Sequence, residues 1–284
     1  MARRALWWVF AINCAYLLIE FVGGILTDSL ALLSDAGHML SDVGAVGIAL
    51  AASRLTRRRA SVRRTYGYGR AEILAALING LTLWLIVGAI FVEAVRRLTS
   101  PPQVLSGAML TIGVAGLGLN VLSACVLFRH RGHNLNLRGA FLHVVADGLG
   151  SVGVVVAGIL MWRFGWYVAD PLASLLIGLL ILFSSWGLIK ESVNILLEGT
   201  PSYLSIERIR SELEKIEGVS ACHDLHIWLI GSGEPILTAH LDAVPNADRT
   251  KVLREATALL ADVYKVHHCT IQVEKEALPE APHH

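Results

Sequence analysis

The sequence predicts a two-part chain: an all-α membrane domain of six transmembrane helices, then a small soluble α+β domain. Three observations carry this. Apolar residues make up 54% of the 284, and the mean hydropathy of +0.58 is too high for an ordinary soluble domain. Six apolar runs lie at roughly 5–26, 33–53, 73–95, 104–128, 139–161 and 169–189, each near the ~20 residues that cross ~30 Å of hydrocarbon. Past about residue 190 the composition changes: all five lysines (Lys190, Lys215, Lys251, Lys265, Lys275) lie there, and no run is long enough to span.

The first run is too long for a cleavable signal peptide and lacks a small-residue cleavage site. Asn13 and Glu20 lie seven apart on one face of it, where Glu20 either lines a cavity or serves helix packing. The fourth run carries Gly113, Gly116 and Gly118, small residues that let helices approach closely in lipid. Asp170-Pro171 reads as the N-cap and first-turn proline of the sixth helix.

The soluble part reads as a helix over about 203–217, with Ile206, Ile209, Leu213 and Ile216 at helical spacing. Strands follow at Ser220–Ile230 and Ile236–Ala243, then a helix over about 247–263 and a strand at Cys269–Glu274. The order α-β-β-α-β implies an open-faced, ferredoxin-like α+β sandwich. The expected division is a transport domain over 1–199, a metal-binding and dimerisation domain over 200–276, and a flexible tail over 277–284.

With the N-terminus inside, the inner loops hold twelve arginines and the outer loops three: Arg96, Arg97 and Arg163. This bias places both termini and the soluble domain in the cytoplasm. The Arg-rich stretch at 54–70 is the positive-inside signal, with anionic lipid as a secondary contact, and carries no nucleic-acid reading. The four cysteines form no C-x-x-C pair, and a reducing compartment argues against disulfides. Cys222 and Cys269 border His223 and His268; buried or idle thiols are the simpler reading, with a thiolate ligand as the alternative.

The chemistry lies in a repeated pattern. His-x-x-x-Asp occurs as His38/Asp42 and as His143/Asp147, each inside an apolar run. Residues i and i+4 share one helix face. Ionisable groups are costly inside a membrane and mark a pathway or a partner. Two imidazoles and two carboxylates suffice to close a tetrahedral site around Zn²⁺, and the two aspartates neutralise a divalent ion. Asp35 lies one turn before His38, as a supporting partner or an entrance charge, and Asn120 and Ser151 read as supporting groups. These residues point to a membrane carrier of zinc or a similar metal.

Several segments resemble the cation diffusion facilitator family. Ser34-Asp35-Ala36-Gly37-His38-Met39-Leu40-Ser41-Asp42 is similar to its second-span motif, and His143-Val144-Val145-Ala146-Asp147 to the fifth-span partner. Tyr66-Gly67-Tyr68-Gly69-Arg70-Ala71-Glu72 resembles the entry to the third span. His223-Asp224-Leu225-His226-Ile227-Trp228, Ala239-His240-Leu241 and Thr270-Ile271-Gln272-Val273-Glu274 resemble the cytoplasmic domain. The resemblance is nearest to bacterial cobalt–zinc–cadmium resistance exporters and animal vesicular zinc transporters. It implies a homodimer, metal export from the cytoplasm across a bacterial inner membrane, and exchange for protons.

His38 makes the membrane site the two-histidine type, whose nitrogen ligands favour Zn²⁺ over Mn²⁺, Mg²⁺ or Ca²⁺; Cd²⁺ and Co²⁺ also fit. At the matched cytoplasmic positions, His223, His240 and Glu274 are the expected metal ligands, with His226 and His267 as weaker candidates. His223 and His240 can meet across adjacent strands, whereas His226, three residues from His223, faces the other way unless a bulge intervenes. The chain departs from some relatives in two loops. Arg63 to Tyr68 holds no ligand type, and the short stretch Arg129 to Asn134 offers only the solvated His130 and His133.

Other classes fit less well. A catalytic zinc site keeps an open position and a nearby base, while here four ligands saturate the ion and His-Glu-x-x-His is absent. A bis-histidine haem would leave both aspartates unexplained. A metal sensor that never transports is separated by a flux measurement.

Overall fold

The computed structural model describes residues 2–56, 61–130, 135–231, 233 and 235–275. Six long helices come first: α1 (Ala2–Thr27), α2 (Leu30–Thr56), α3 (Arg70–Thr99), α4 (Ser106–His130), α5 (Leu135–Phe164) and α6 (Ala169–Leu196). Among the described residues, four segments are long and apolar enough to cross a membrane: Arg70–Thr99, Ser106–Phe128, Val144–Phe164 and Ala169–Leu196. The chain forms two compact units, Met1–Gly47 with Ile78–Leu188, and Ile48–Leu77 with Ile189–His284.

The first unit is a helical bundle. Its core joins Leu32 of α2, Leu83 and Val87 of α3, Met109 of α4, Val154 and Met161 of α5 and Ile177 of α6. Large apolar side chains such as Leu26, Leu85, Trp162 and Phe183 stay exposed, as lipid-facing surfaces do, because hydrocarbon solvates them. Helices α4 and α5 meet through small residues: a Cβ on Gly113 would lie 2.9 Å from Val154, and one on Gly158 3.2 Å from Leu110. Gly116 is the tightest such position, since a Cβ there would fall 2.0 Å from the Tyr16 hydroxyl of α1. That hydroxyl donates to the Ile112 carbonyl at 2.8 Å.

The start of α2 is fixed from another helix. Asp170 is the second residue of α6, not its N-cap as the sequence suggested. Its carboxylate accepts from Ser29 Oγ at 2.6 Å, Leu30 N–H at 2.7 Å and Ala31 N–H at 3.2 Å. A carboxylate thus satisfies the free N–H groups of a helix to which it does not belong.

The second unit holds α7 (Ile206–Leu213), β1 (Val219–Leu229), β2 (Pro235–Ala243), α8 (Arg249–Asp262) and β3 (His268–Glu274). The sheet order is β1-β2-β3, with β1/β2 antiparallel and β2/β3 parallel. One face packs on the helices through Ile209, Leu213, Leu225, Ile227, Leu237, Leu241, Val252 and Leu260. Helix α7 is shorter than its apolar spacing suggested. Ser205 caps its start by accepting from Arg208 N–H, and the chain turns away through Gly218 at φ +95°. Asp248 caps α8 through the N–H groups of Thr250 and Lys251. In the same unit Arg64 lies over the Tyr68 ring, 4.4 Å from its centroid, and Arg70 pairs with Glu198.

Candidate metal sites

Helices α2 and α5 bring the first site together. His38 Nε2 lies 3.7 Å from Asp42 Oδ2 on its own helix and 3.3 Å from Asp147 Oδ1 on α5. One ligand atom from each of the three falls within 4.8 Å of the others. Two carboxylates and one imidazole gathered in this way could hold a divalent ion. His143 stands on α5 one turn before Asp147; its side chain lies outside the described residues. A cavity of about 160 Å³ opens onto Asp35, His38 and Asp147 and is walled by Ile177, Leu180 and Phe183 of α6.

A polar shell continues from this site. Asn120 Nδ2 of α4 donates to Ser151 Oγ at 3.1 Å, and Ser151 Oγ donates to Asp35 Oδ2 at 3.4 Å. Asp35 is 4% exposed and Glu20 1%. The side chain of Asn13 lies outside the described residues.

The second site is on the sheet of the C-terminal domain. His223 of β1 and His240 of β2 are register partners, with ring centroids 5.3 Å apart. His240 Nδ1 lies 2.9 Å from Glu274 Oε1 of β3, which also accepts from Gln272 Nε2 at 2.8 Å. His223, His240 and Glu274 each offer a ligand atom within 4.8 Å of the others. Glu274 is 5% exposed.

The remaining candidates fall outside this trio. The ladder shifts register between His223 and His226, and Asp224 within the shift has φ +49°. The bulge turns His226 to the face of His223 and His240, opposite Thr238, but its ring is not among the ligand atoms gathered within 4.8 Å. Its Nε2 lies 2.8 Å from Asp224 Oδ1, and that hydrogen bond holds the Asp224 carboxyl below the usual carboxylate range. Asp224 Oδ2 is in turn 3.7 Å from His240 Nε2. His267 is exposed just before β3 and is not brought to the trio. His268 packs edge-on to Tyr66, with centroids 6.1 Å apart. Burial, helped by Glu214, pushes the Cys222 thiol up to about 11, which favours the neutral thiol in the core. His133 lies outside the described residues, as does the side chain of His130.

Sequence reasoning overlooked two carboxylates. Asp242 Oδ1 lies 3.4 Å from His223 Nε2, and Asp224 bridges towards His240. The signal for Asp242 was available, since it stands two residues after His240 and shares its face of the strand.

Helices with a His/Asp cluster between them, followed by a domain bearing a second ligand cluster, define a metal-handling membrane protein. Comparison with known proteins identifies its kind. The family model of the cation efflux transmembrane domain matches residues 6–197, and that of the cation efflux protein cytoplasmic domain matches 201–276. The chain belongs to the cation efflux family. It is 45% identical to a cadmium, cobalt and zinc/H(+)-K(+) antiporter of Bacillus subtilis over 94% of this chain and 88% of that protein. It is 42% identical to the zinc transporter ZitB of Escherichia coli, over 96% of this chain and 87% of that one. It is equally close to the metal cation efflux system protein CzcD of Cupriavidus metallidurans, over 96% and 86%. A solved metal-bound C-terminal domain of the Cuprividus metallidurans CzcD transporter matches at 33% identity, covering 25% of this chain and 99% of that chain, with a TM-score of 0.24. The protein is thus an integral-membrane efflux transporter of divalent metal cations and not an enzyme. Its cytoplasmic domain is of the dimerisation type, so the protein works as a homodimer.

Proposed function

We propose that this protein exports Zn²⁺ from the cytoplasm in exchange for protons, with Cd²⁺ and Co²⁺ as further substrates. The observation that carries the reading is the convergence of His38, Asp42 and Asp147 ligand atoms within 4.8 Å between two membrane helices. His143, on the same helix as Asp147, is the fourth ligand of a tetrahedral set with two nitrogens and two oxygens. In the inward-facing state the ion binds deprotonated imidazoles and both carboxylates, so binding releases protons. The helices then rock, the site opens outward, and protons displace the metal before the return step. Binding and release use one set of residues, which couples the two fluxes.

The membrane is the bacterial inner membrane, and both termini face the cytoplasm; the arginine bias supports this orientation. Residues 1–199 carry transport, and 200–276 carry dimerisation and sensing. On the sheet, His223, His240 and Glu274 hold a zinc ion. The donors fit the metal, being two imidazoles and a carboxylate already gathered about one point. Zinc there favours one state of the transporter and so reports the cytoplasmic level. The names of the relatives from B. subtilis and E. coli support zinc and proton exchange.

The test is Zn²⁺ and Cd²⁺ flux in proteoliposomes with and without a pH gradient. Export accelerates when protons run the opposite way. Flux that ignores the gradient refutes proton exchange, and absence of flux with either metal refutes the substrate.

A further inference from the structure

Two buried membrane carboxyls remain once the metal ligands and Asp170, which caps α2, are assigned. Glu20 is 1% exposed and Asp35 4%. The polar neighbours of Glu20 are Tyr16, one turn earlier on α1, and Asp35 of α2. Neither Glu20 oxygen completes a well-aligned hydrogen bond, because the Tyr16 hydroxyl is committed to the Ile112 carbonyl. Among the described residues, no lysine or arginine pairs with either carboxyl, and the basic group that faces Asp35 is the His38 imidazole one turn on along α2. Asp147 of α5 adds a further negative charge near Glu20, and Asn120 of α4 donates to Ser151 on the Asp35 side.

Two adjacent carboxyls in apolar surroundings cannot both stay ionised without a cation. A proton fits a side chain closed off to 1% exposure, since it needs no coordination shell. The position is equally specific. Glu20 lies seven residues from the end of α1 at Thr27, and Asp35 five residues into α2, each within roughly 10 Å of those helix ends. Asp35 borders the cavity that holds His38 and Asp147, while Glu20 does not. Ser151 and Asn120 link Asp35 to α5 and α4, so the pair touches the helices that carry the metal ligands.

We infer that Glu20 and Asp35 form a proton-exchange site distinct from the metal ligands, lying between them and the outer ends of α1 and α2. Asp35 passes the proton to the metal cavity and Glu20 stores it. This rests on the proton-exchange reading above and extends it: part of the proton flux titrates carboxyls that never bind the metal.

The experiment compares wild type and Glu20→Gln in proteoliposomes, with zinc affinity measured on the same purified proteins. Glu20→Gln keeps its shape but cannot exchange a proton. The expected result is retained zinc affinity with loss of acceleration by the pH gradient, and recovery of that acceleration in Glu20→Asp. Full acceleration in Glu20→Gln overturns the proposal. So does loss of zinc affinity alongside acceleration, which would make Glu20 a support of the metal site. Acceleration by luminal K⁺ that only the wild type shows would assign the pair to an alkali cation and also overturn it. A wild type without gradient dependence refutes the antiport reading instead. Independently of any variant, dicyclohexylcarbodiimide should label Glu20 in the wild-type protein, with labelling falling as pH rises. An unlabelled Glu20 at every pH overturns the proposal even if the variants fail to fold.

Discussion

Replacing His240 by alanine should separate the two things that the cytoplasmic cluster does. His240 Nδ1 sits 2.9 Å from Glu274 Oε1, and Glu274 is 5% exposed. The substitution removes a donor from a buried carboxylate, although Gln272 still donates to the same oxygen. Loss of a partner at such a group costs about 1–3 kcal/mol. In a domain of this size each 1 kcal/mol shifts Tm by about 4–8 °C, so the metal-free domain should melt roughly 5–20 °C lower. Zinc adds a second term. At 100-fold excess over Kd it stabilises the wild-type domain by about 2.7 kcal/mol, and that gain should vanish in His240→Ala. The assay is thermal melting of residues 200–276, with chelator and with zinc, for wild type and variant. If zinc leaves the wild-type Tm unchanged, the trio binds no metal. If His240→Ala retains the full zinc shift, the ion sits elsewhere. A metal-free Tm equal to wild type refutes the claim that Glu274 depends on this imidazole.

Further outcomes concern the membrane domain. Asp147→Ala and Asp42→Ala should each abolish zinc flux with little change in folding, because each removes a ligand and leaves metal charge uncompensated; wild-type flux in either would refute the site. His38→Asp should move the ratio of rates towards Mn²⁺ and away from Cd²⁺ at matched protein levels, since an oxygen replaces a nitrogen, and an unchanged ratio would remove His38 from selectivity. Asp170→Ala should destabilise the purified transporter by about 2–4 kcal/mol, because one hydroxyl and two backbone N–H groups at the start of α2 lose a charged acceptor; an unchanged melting temperature in detergent would show that water or Ser29 replaces it.

Much of this protein is local in origin and therefore legible in one dimension. Apolar runs of spanning length give the six helices, because hydrocarbon leaves a backbone no other way to satisfy its own polar groups. The four-residue spacing puts His38 with Asp42, and His143 with Asp147, on single helix faces. Apolar spacing and alternation give the α-β-β-α-β order of the small domain, while the caps Ser205 and Asp248 set where its helices start. What the sequence could not determine is partnership across elements. The approach of Asp147 to His38 depends on how α2 and α5 pack. Asp170 looked like a cap for its own helix, yet it caps α2, 140 residues away in sequence from Leu30. His226 reaches the face of the cytoplasmic trio only through a register shift at Asp224, and Asp242 joins His223 only because β1 and β2 pair in that register. Spacing along one element fixes which side chains share a face. Which faces meet is set by packing among small residues such as Gly116 and Gly158 and by ladder register, and these are properties of the assembled structure alone.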